Sequence, residues 1–312
     1  PGHIISIRGP IRDKLPETEP WWSFCSNIID NEYADKNNKN TPSLFSSDEE
    51  GLNALEDALT LSIERQSIAD VPLGAFLSGG IDSSLITALM QKNSINPINT
   101  FTIGFEEINY NEAPYAAAVA KHLGTAHHET IFTASDAQNL IPKLPSLYCE
   151  PFADSSQLPT HMVCKEARKG GLKVVLSGDG GDELFGGYNR YFWGPRLWEK
   201  VSWLPYSMRV LLGKSISSLP PYFWDYMGQP LSINQFGHKI HKFSNRLKYI
   251  QNNKQLYRSL ISQWNSPTEL MRGNQFGEEI IEPISPIDMD LTKYDFQDSA
   301  SQMMVYDTIN YL

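Results

Sequence analysis

A chain of 312 residues, 41% of them hydrophobic, is long enough to bury a full core as one large domain or two smaller ones. A formal charge of −10 excludes a general nucleic-acid surface, which needs clustered Lys and Arg, and no apolar run approaches the ~20 residues that cross a bilayer. Cys25, Cys149 and Cys164 form no CxxC pair and leave an odd count, so a disulfide framework and a structural zinc site are both disfavoured and a reducing cytoplasm is expected.

The chain opens on Pro1-Gly2-His3 without a basic and apolar leader, and reads as an excised or partial chain. Ile4 to Ile11 predicts a short strand or two broken by Gly9-Pro10, followed by Pro16, Pro20 and the Trp21-Trp22 pair. Residues 30–43 are polar, Asn-rich and nearly devoid of apolar side chains, the composition of a flexible connection at a domain boundary.

Beyond it, Ser47 with Glu50 three residues on predicts a capping box, and Leu52, Leu55, Leu59 and Ile63 recur at helical spacing, giving a helix from about 48 to 68. Val71 to Leu77 is almost wholly apolar, as a strand buried on both faces should be, with Pro72 near its start. A helix over Ser83 to Gln91 follows. The alternation continues with strands at Thr100–Phe105, His127–Phe132 and Leu172–Leu176, and helices at Asn111–Leu123, Asp136–Leu147 and Asp154–Arg168. Strands alternating with helices predict an α/β fold, a parallel sheet with helices on both faces. Past Tyr188 the segments become rich in Trp, Tyr and Pro with helical periodicity, as in Met208–Ile216 and Gln255–Gln263, and predict a mostly helical remainder.

Two loops carry the chemistry. Ser78-Gly79-Gly80-Ile81-Asp82-Ser83-Ser84 joins a buried strand to a helix. Its glycines let the backbone approach an anion and adopt positive φ, the first helical amides point at the ligand, and Ser78, Ser83 and Ser84 add hydroxyl donors. Asp82 repels phosphate, so its role beside a nucleotide is to hold magnesium. No Gly-Lys-Ser/Thr ending is present, so this is not a Walker A loop and it suits a pyrophosphate that leaves as one unit. An ordinary Gly-Gly turn with a capping Ser or Asp is the plainer alternative.

The second loop runs from the strand at Lys173–Leu176 into Ser177-Gly178-Asp179-Gly180-Gly181-Asp182-Glu183-Leu184-Phe185-Gly186-Gly187-Tyr188. Alone it could be a turn or a calcium-type site. Ligands of an open parallel sheet bind at the carboxyl ends of its strands, so both loops can face one site, where Asp82 and Asp182 could share a metal.

These residues carry a resemblance. Val71-Pro72-Leu73-Gly74 with the Ser-Gly-Gly-x-Asp-Ser loop, Thr100 to Phe105, Leu123-Gly124-Thr125 before His127-His128-Glu129, and Ser177 to Tyr188 occur in the order found in the synthetase domain of class B, glutamine-hydrolysing asparagine synthetases and their amidotransferase relatives. The match is good over roughly residues 45–200. The resemblance implies an adenine nucleotide alpha hydrolase-like fold of the pyrophosphate-loop ATP pyrophosphatase type, with ATP and Mg2+ as cofactors. It implies that Ser78, Gly79, Gly80, Asp82 and Ser83 bind the ATP phosphates, that Phe76, Ile103, Ser177 and Gly178 line the adenosine pocket, and that Asp82 and Asp182 ligate magnesium. Asp179 takes the catalytic position where the family keeps an acidic residue, often Glu, tied to acyl-adenylate formation.

By the same resemblance, residues 1–43 are the end of an N-terminal glutaminase domain plus its linker, and residues 44–312 an ATP-pyrophosphatase domain lacking its C-terminal part. The implied reaction adenylates a carboxylate, by default aspartate, with release of pyrophosphate, after which glutamine-derived ammonia from the missing domain yields asparagine and AMP. This fragment alone is expected to be incompetent. A homodimer is the assembly allowed for. Relatives that amidate sugar acids of surface polysaccharides or close β-lactam rings, and a nucleotide-binding remnant without catalysis, remain the alternatives.

Other candidates are weaker. His127 and His128 are neighbours on a strand and point to opposite faces, so they cannot chelate one ion and a structural role is expected. Cys149 to Ser156 resembles a substrate-side segment, while Asp154 or Ser155 could equally cap the next helix. Arg190 and Tyr191 carry no assigned role. The Trp21-Trp22 pair is expected to pack between domains, and internal Cys25 is not expected to be a nucleophile.

Overall fold

The computed structural model describes residues 3–7, 18–22, 45–149, 154–229, 235–262, 296 and 298–311. They fall into two compact units, Asn40–Gly181, and Pro1–Lys39 together with Asp182–Leu312. The expected linker at 30–43 lies outside the described residues, as do Cys25, Ile11, Gln263 and residues 150–153.

In the second of these units, β1 (His3–Ile5) and β2 (Thr18–Pro20) form an antiparallel ribbon with Ile4 opposite Glu19. One short strand is thus present where Ile4–Ile11 predicts a strand or two, with Gly9-Pro10 and Ile11 outside the described residues; its partner is Thr18–Pro20, which ends at a proline that cannot donate to a ladder. Trp21 and Trp22 beside it are 69% and 42% exposed.

The Asn40–Gly181 unit begins with α1 (Asp48–Gln66), where the Ser47 hydroxyl accepts the Glu50 N–H at 3.2 Å. The expected box closes one residue early, because the Glu50 carboxylate accepts from the N–H and hydroxyl of Ser46. β3 (Leu73–Phe76) is shorter than Val71–Leu77, since Pro72 lacks an N–H and the ladder opens with Leu73 opposite Val174. Next come α2 (Ile81–Lys92), β4 (Asn99–Phe105) and α3 (Ala113–Leu123). Asn111 is not helical: its side-chain oxygen accepts the Ala113 N–H at 3.1 Å, which moves the helix start two residues on. After β5 (Ala126–Phe132), α4 spans Ala134–Leu140. It starts earlier than the expected Asp136 because Thr133 and Asp136 form a capping box. It also stops earlier than Leu147: Pro142 and Pro145 divide the remainder into a 3-10 turn and the short α5 (Leu144–Leu147). α6 (Gln157–Lys169) begins later than Asp154, whose carboxylate accepts the Ser156 N–H at 2.7 Å in a turn that precedes the helix. β6 (Val174–Leu176) ends the series.

The four strands pair in parallel in the order β5-β4-β3-β6. Alternation along them assigns the faces. Ala75 packs with Ile63, Leu89 and Met90 of α1 and α2, and Leu77 with Ala116 and Ala120 of α3. Phe76 instead joins Phe101, Ala167 and Leu172, and Ile103 joins Met162 of α6. Central β4 is buried along Thr100–Gly104, as a strand covered on both faces must be.

The histidine pair obeys the same rule. His127 Nδ1 lies 2.9 Å from the Thr100 hydroxyl, while His128 stacks on Phe101 with centroids 4.7 Å apart. Burial, the largest influence, holds the His127 imidazole below its ordinary pKa, and its Nε2 is buried without a partner. The unfolded chain therefore binds the proton more readily, and this stability is present above about pH 6.5 and is lost as the pH falls through the lower folded value. Thermal melting from pH 7.5 to 5 should show a steeper acid loss in the wild type than in His127→Gln; parallel curves would contradict it.

In the other unit, α7 (Gly181–Phe185) starts at the boundary, and α8 (Asn189–Ser202), α9 (Tyr206–Ser217), α10 (Pro221–Gly228), α11 (Phe236–Leu247), α12 (Asn253–Ile261) and α13 (Ser299–Tyr311) follow. Tyr191, Ile250, Leu256, Tyr257, Met303 and Tyr306 form its core, so the expected helical remainder is present.

Candidate active site

β3 and β6 are adjacent parallel strands, so the loops that leave their carboxyl ends emerge side by side. The first is drawn tight by its own hydroxyls. The Ser78 N–H donates to Ser83 Oγ at 3.2 Å, the two serine hydroxyls lie 2.9 Å apart, and the Gly80 N–H donates to Ser78 Oγ at 3.2 Å. Gly79 has φ 82°, and a Cβ there would stand 2.6 Å from the Ala116 amide of α3, so both conformation and space require glycine. Gly80 caps α2 without a side-chain acceptor, leaving the first-turn amides of this helix directed outward.

The second loop packs directly on the first. A Cβ on Gly178 would lie 2.7 Å from the Ser83 amide nitrogen, and one on Gly181 would lie 2.5 Å from the Asp82 carboxyl carbon. Gly180 has φ 91°, and the Gly181 N–H donates to the Gly178 carbonyl at 3.2 Å. Asp179 is exposed, and its carboxylate accepts the Ser177 hydroxyl at 2.8 Å.

Together these loops wall a cleft of about 460 Å3 at the carboxyl ends of the strands. Of the residues singled out in the sequence, Phe76, Ser78, Gly80, Asp82, Ser83, Ile103, Ser177, Gly178 and Asp179 all line it. Gly79 does not, and contributes through the turn it permits. Asp182 belongs to the other unit. Sequence reading missed Phe101, Thr102, Phe105, Glu112, Pro159, Thr160 and Val163. Pro159 to Val163 had a signal, since they open the helix after the segment already tied to substrate; Glu112 had none.

The described lining holds three carboxylates, Asp82, Glu112 and Asp179, and neither Lys nor Arg. A polyphosphate entering this field would be repelled unless a divalent cation came with it. Magnesium fits that donor set, because it is commonly held by one or two carboxylates together with substrate phosphates. No group of three or more His, Cys, Asp or Glu side chains suited to a closed metal site occurs among the described residues.

Fold and site define a parallel α/β protein with a cleft beside two glycine-rich loops at the strand ends. The asparagine synthase family model matches residues 54–312, and the chain belongs to that family. It is 43% identical over 167 residues to the putative asparagine synthetase [glutamine-hydrolyzing] 2 of Methanocaldococcus jannaschii, covering 53% of this chain and 31% of the relative. Asparagine synthetase [glutamine-hydrolyzing] 1 of Bacillus subtilis is 39% identical over 138 residues, 44% of this chain and 21% of the relative. Asparagine synthetase B [glutamine-hydrolyzing] of Escherichia coli is 33% identical over 153 residues, 44% of this chain and 27% of the relative. The chain thus spans less than a third of the length of these relatives. No helix among the described residues is long and apolar enough to cross a membrane.

Proposed function

We propose that the cleft is the adenylating site of a glutamine-dependent, asparagine-synthetase-type ligase in a pyrophosphate-loop ATP pyrophosphatase fold. The observation that carries this reading is the packing of Gly178 onto the Ser83 amide, which brings both loops to one cleft. In sequence terms, the proposal divides the chain into the end of a glutaminase domain and linker at 1–43 and the synthetase domain from 44 onward, in a cytoplasmic protein.

A carboxylate is a poor acceptor for ammonia because oxide would have to leave. Attack of the aspartate carboxylate on the α-phosphorus of ATP forms an acyl–phosphate bond and expels pyrophosphate; ammonia then displaces AMP and forms the amide. In this reading the backbone of Ser78–Ser83 and the serine hydroxyls hold the departing pyrophosphate, as donors placed where charge develops. Phe76 and Ile103 offer an apolar bed for the adenosine, beside the backbone of Ser177 and Gly178. Asp179, held by the Ser177 hydroxyl, faces the forming acyl-adenylate. Asp82 and Asp182 are the carboxylates that would hold magnesium, which would supply neutralisation of charge on the phosphates.

The test is ATP–pyrophosphate exchange in the protein at its native full length. Exchange that depends on aspartate is expected. Exchange with a sugar acid in its place would move the acceptor, and no exchange with any carboxylate would sink the reading in favour of nucleotide binding alone.

A further inference from the structure

The helical unit contains a pocket of about 210 Å3 that the adenylating reading does not use. Its described lining comes from α8, α11, α12 and the turn between the last two, all within that one unit. Trp193, Trp198, Phe243, Leu256 and Leu260 make most of the wall apolar. An apolar cavity of ~150 Å3 already accommodates benzene, so there is space here for a ring or a short alkyl chain.

The walls are held in place by the protein itself. Gly194 on α8 lets α12 approach closely, since a Cβ there would stand 2.8 Å from Leu260 Cδ1. Arg209 of α9, which is buried, donates from Nε to the Leu204 carbonyl at 3.0 Å and from Nη1 to the Ile250 carbonyl at 2.6 Å. Its guanidinium also stands 4.8 Å from the centroid of the Trp198 ring, so one indole and the turn after α11 are fixed to the same side chain. A pocket formed in advance loses less conformational freedom when a ligand enters.

Two guanidiniums reach this apolar lining, and only one has a counter-charge. Arg190 donates from Nε at 3.2 Å and Nη2 at 2.8 Å to Oδ2 of the fully buried Asp307. Arg246 donates from Nη2 to the Ser259 carbonyl at 3.2 Å, while its Nε and Nη1 have no hydrogen-bond partner and it forms no ion pair among the described residues. Burial holds its pKa below the ordinary value, with no carboxylate opposing the shift. A cation drawn partly out of water without a counter-charge is costly. A ligand carboxylate offsets that cost and matches the planar fork with two parallel bonds.

We propose that this pocket binds a monocarboxylate with an apolar body: the carboxylate pairs with Arg246, and the ring or alkyl chain lies among Trp193, Trp198 and Phe243. The single uncompensated charge of the lining selects one negative charge on the ligand. No residue of the nucleotide cleft takes part, so this binding stands or falls separately from the adenylating reading.

The test is calorimetric titration of octanoate into the full-length protein, with octanol and octylamine as the uncharged and cationic probes of equal chain length. Octanoate is expected to bind at one site about tenfold or more tightly than octanol, the size of a charge-assisted hydrogen bond, and octylamine more weakly than either. Arg246→Gln should abolish the preference for octanoate over octanol, with thermal melting showing that the variant is folded. No saturable binding of octanoate, equal affinity for octanoate and octanol, or octanoate affinity unchanged in Arg246→Gln would each overturn the proposal. Should Arg246→Gln fail to fold, Leu197→Trp adds bulk at a lining position that is 42% exposed and lies outside the core. A loss of octanoate affinity by about tenfold or more supports the pocket as its site, and unchanged affinity overturns it.

Discussion

Gly178→Ala should reduce ATP–pyrophosphate exchange by about 100-fold or more while leaving the parallel sheet folded. The added methyl would stand 2.7 Å from the Ser83 amide nitrogen and 3.1 Å from the Asp82 carbonyl carbon. Both are backbone atoms at the start of α2 and cannot rotate away as a side-chain tip would. Relief requires one loop to retreat from the other, and a displacement of about 1 Å at a reacting centre is enough for a loss of this size. The sheet should survive because β3 and β6 pair before the loops begin, at Leu73–Val174 through Ala75–Leu176. Circular dichroism and melting would show the fold, and exchange the function. Near-wild-type exchange would mean that the contact between the loops does not shape the site.

Phe101→Ala should cost the α/β unit about 3–5 kcal/mol. Phe101 occupies central β4, is 4% exposed, and packs against Ala167, Leu172, Phe76 and Val163 on the α6 face. Its ring also stacks on His128 at an interplanar angle of 17°, and a Cβ on Gly170 would come within 2.7 Å of its Cζ. Truncation removes contacts on every side in a place where strand and helix are both pinned, so the void cannot collapse cheaply. Denaturant unfolding followed by a probe in this unit measures the loss. A change below about 1 kcal/mol would indicate that α6 relaxes into the space.

Much of this site is legible in one dimension because it is built from local chemistry. Ser78-Gly79-Gly80 after an apolar run specifies a turn that only glycine can make, and Gly79 indeed has φ 82°. Segment ends were less legible. Thr133 captured a helix start with a hydroxyl, and Pro142 and Pro145 cut one helix into three, outcomes decided by short-range bonds that compete with hydrophobic periodicity. Family membership rests on residues 54–312 as a whole.

The two glycine loops were determined by the sequence alone, since their residue types and the alternation of strand and helix around them are local properties. That β6 pairs with β3, so that Gly178 meets the Ser83 amide, was decided only by tertiary structure. So was the gathering of Phe101, Thr102 and Glu112 into the same cleft, and of Arg190, Tyr191 and Tyr257 around Asp307. Strand neighbours and buried ion pairs depend on which distant surfaces exclude water together, and periodicity along a chain carries no record of that choice.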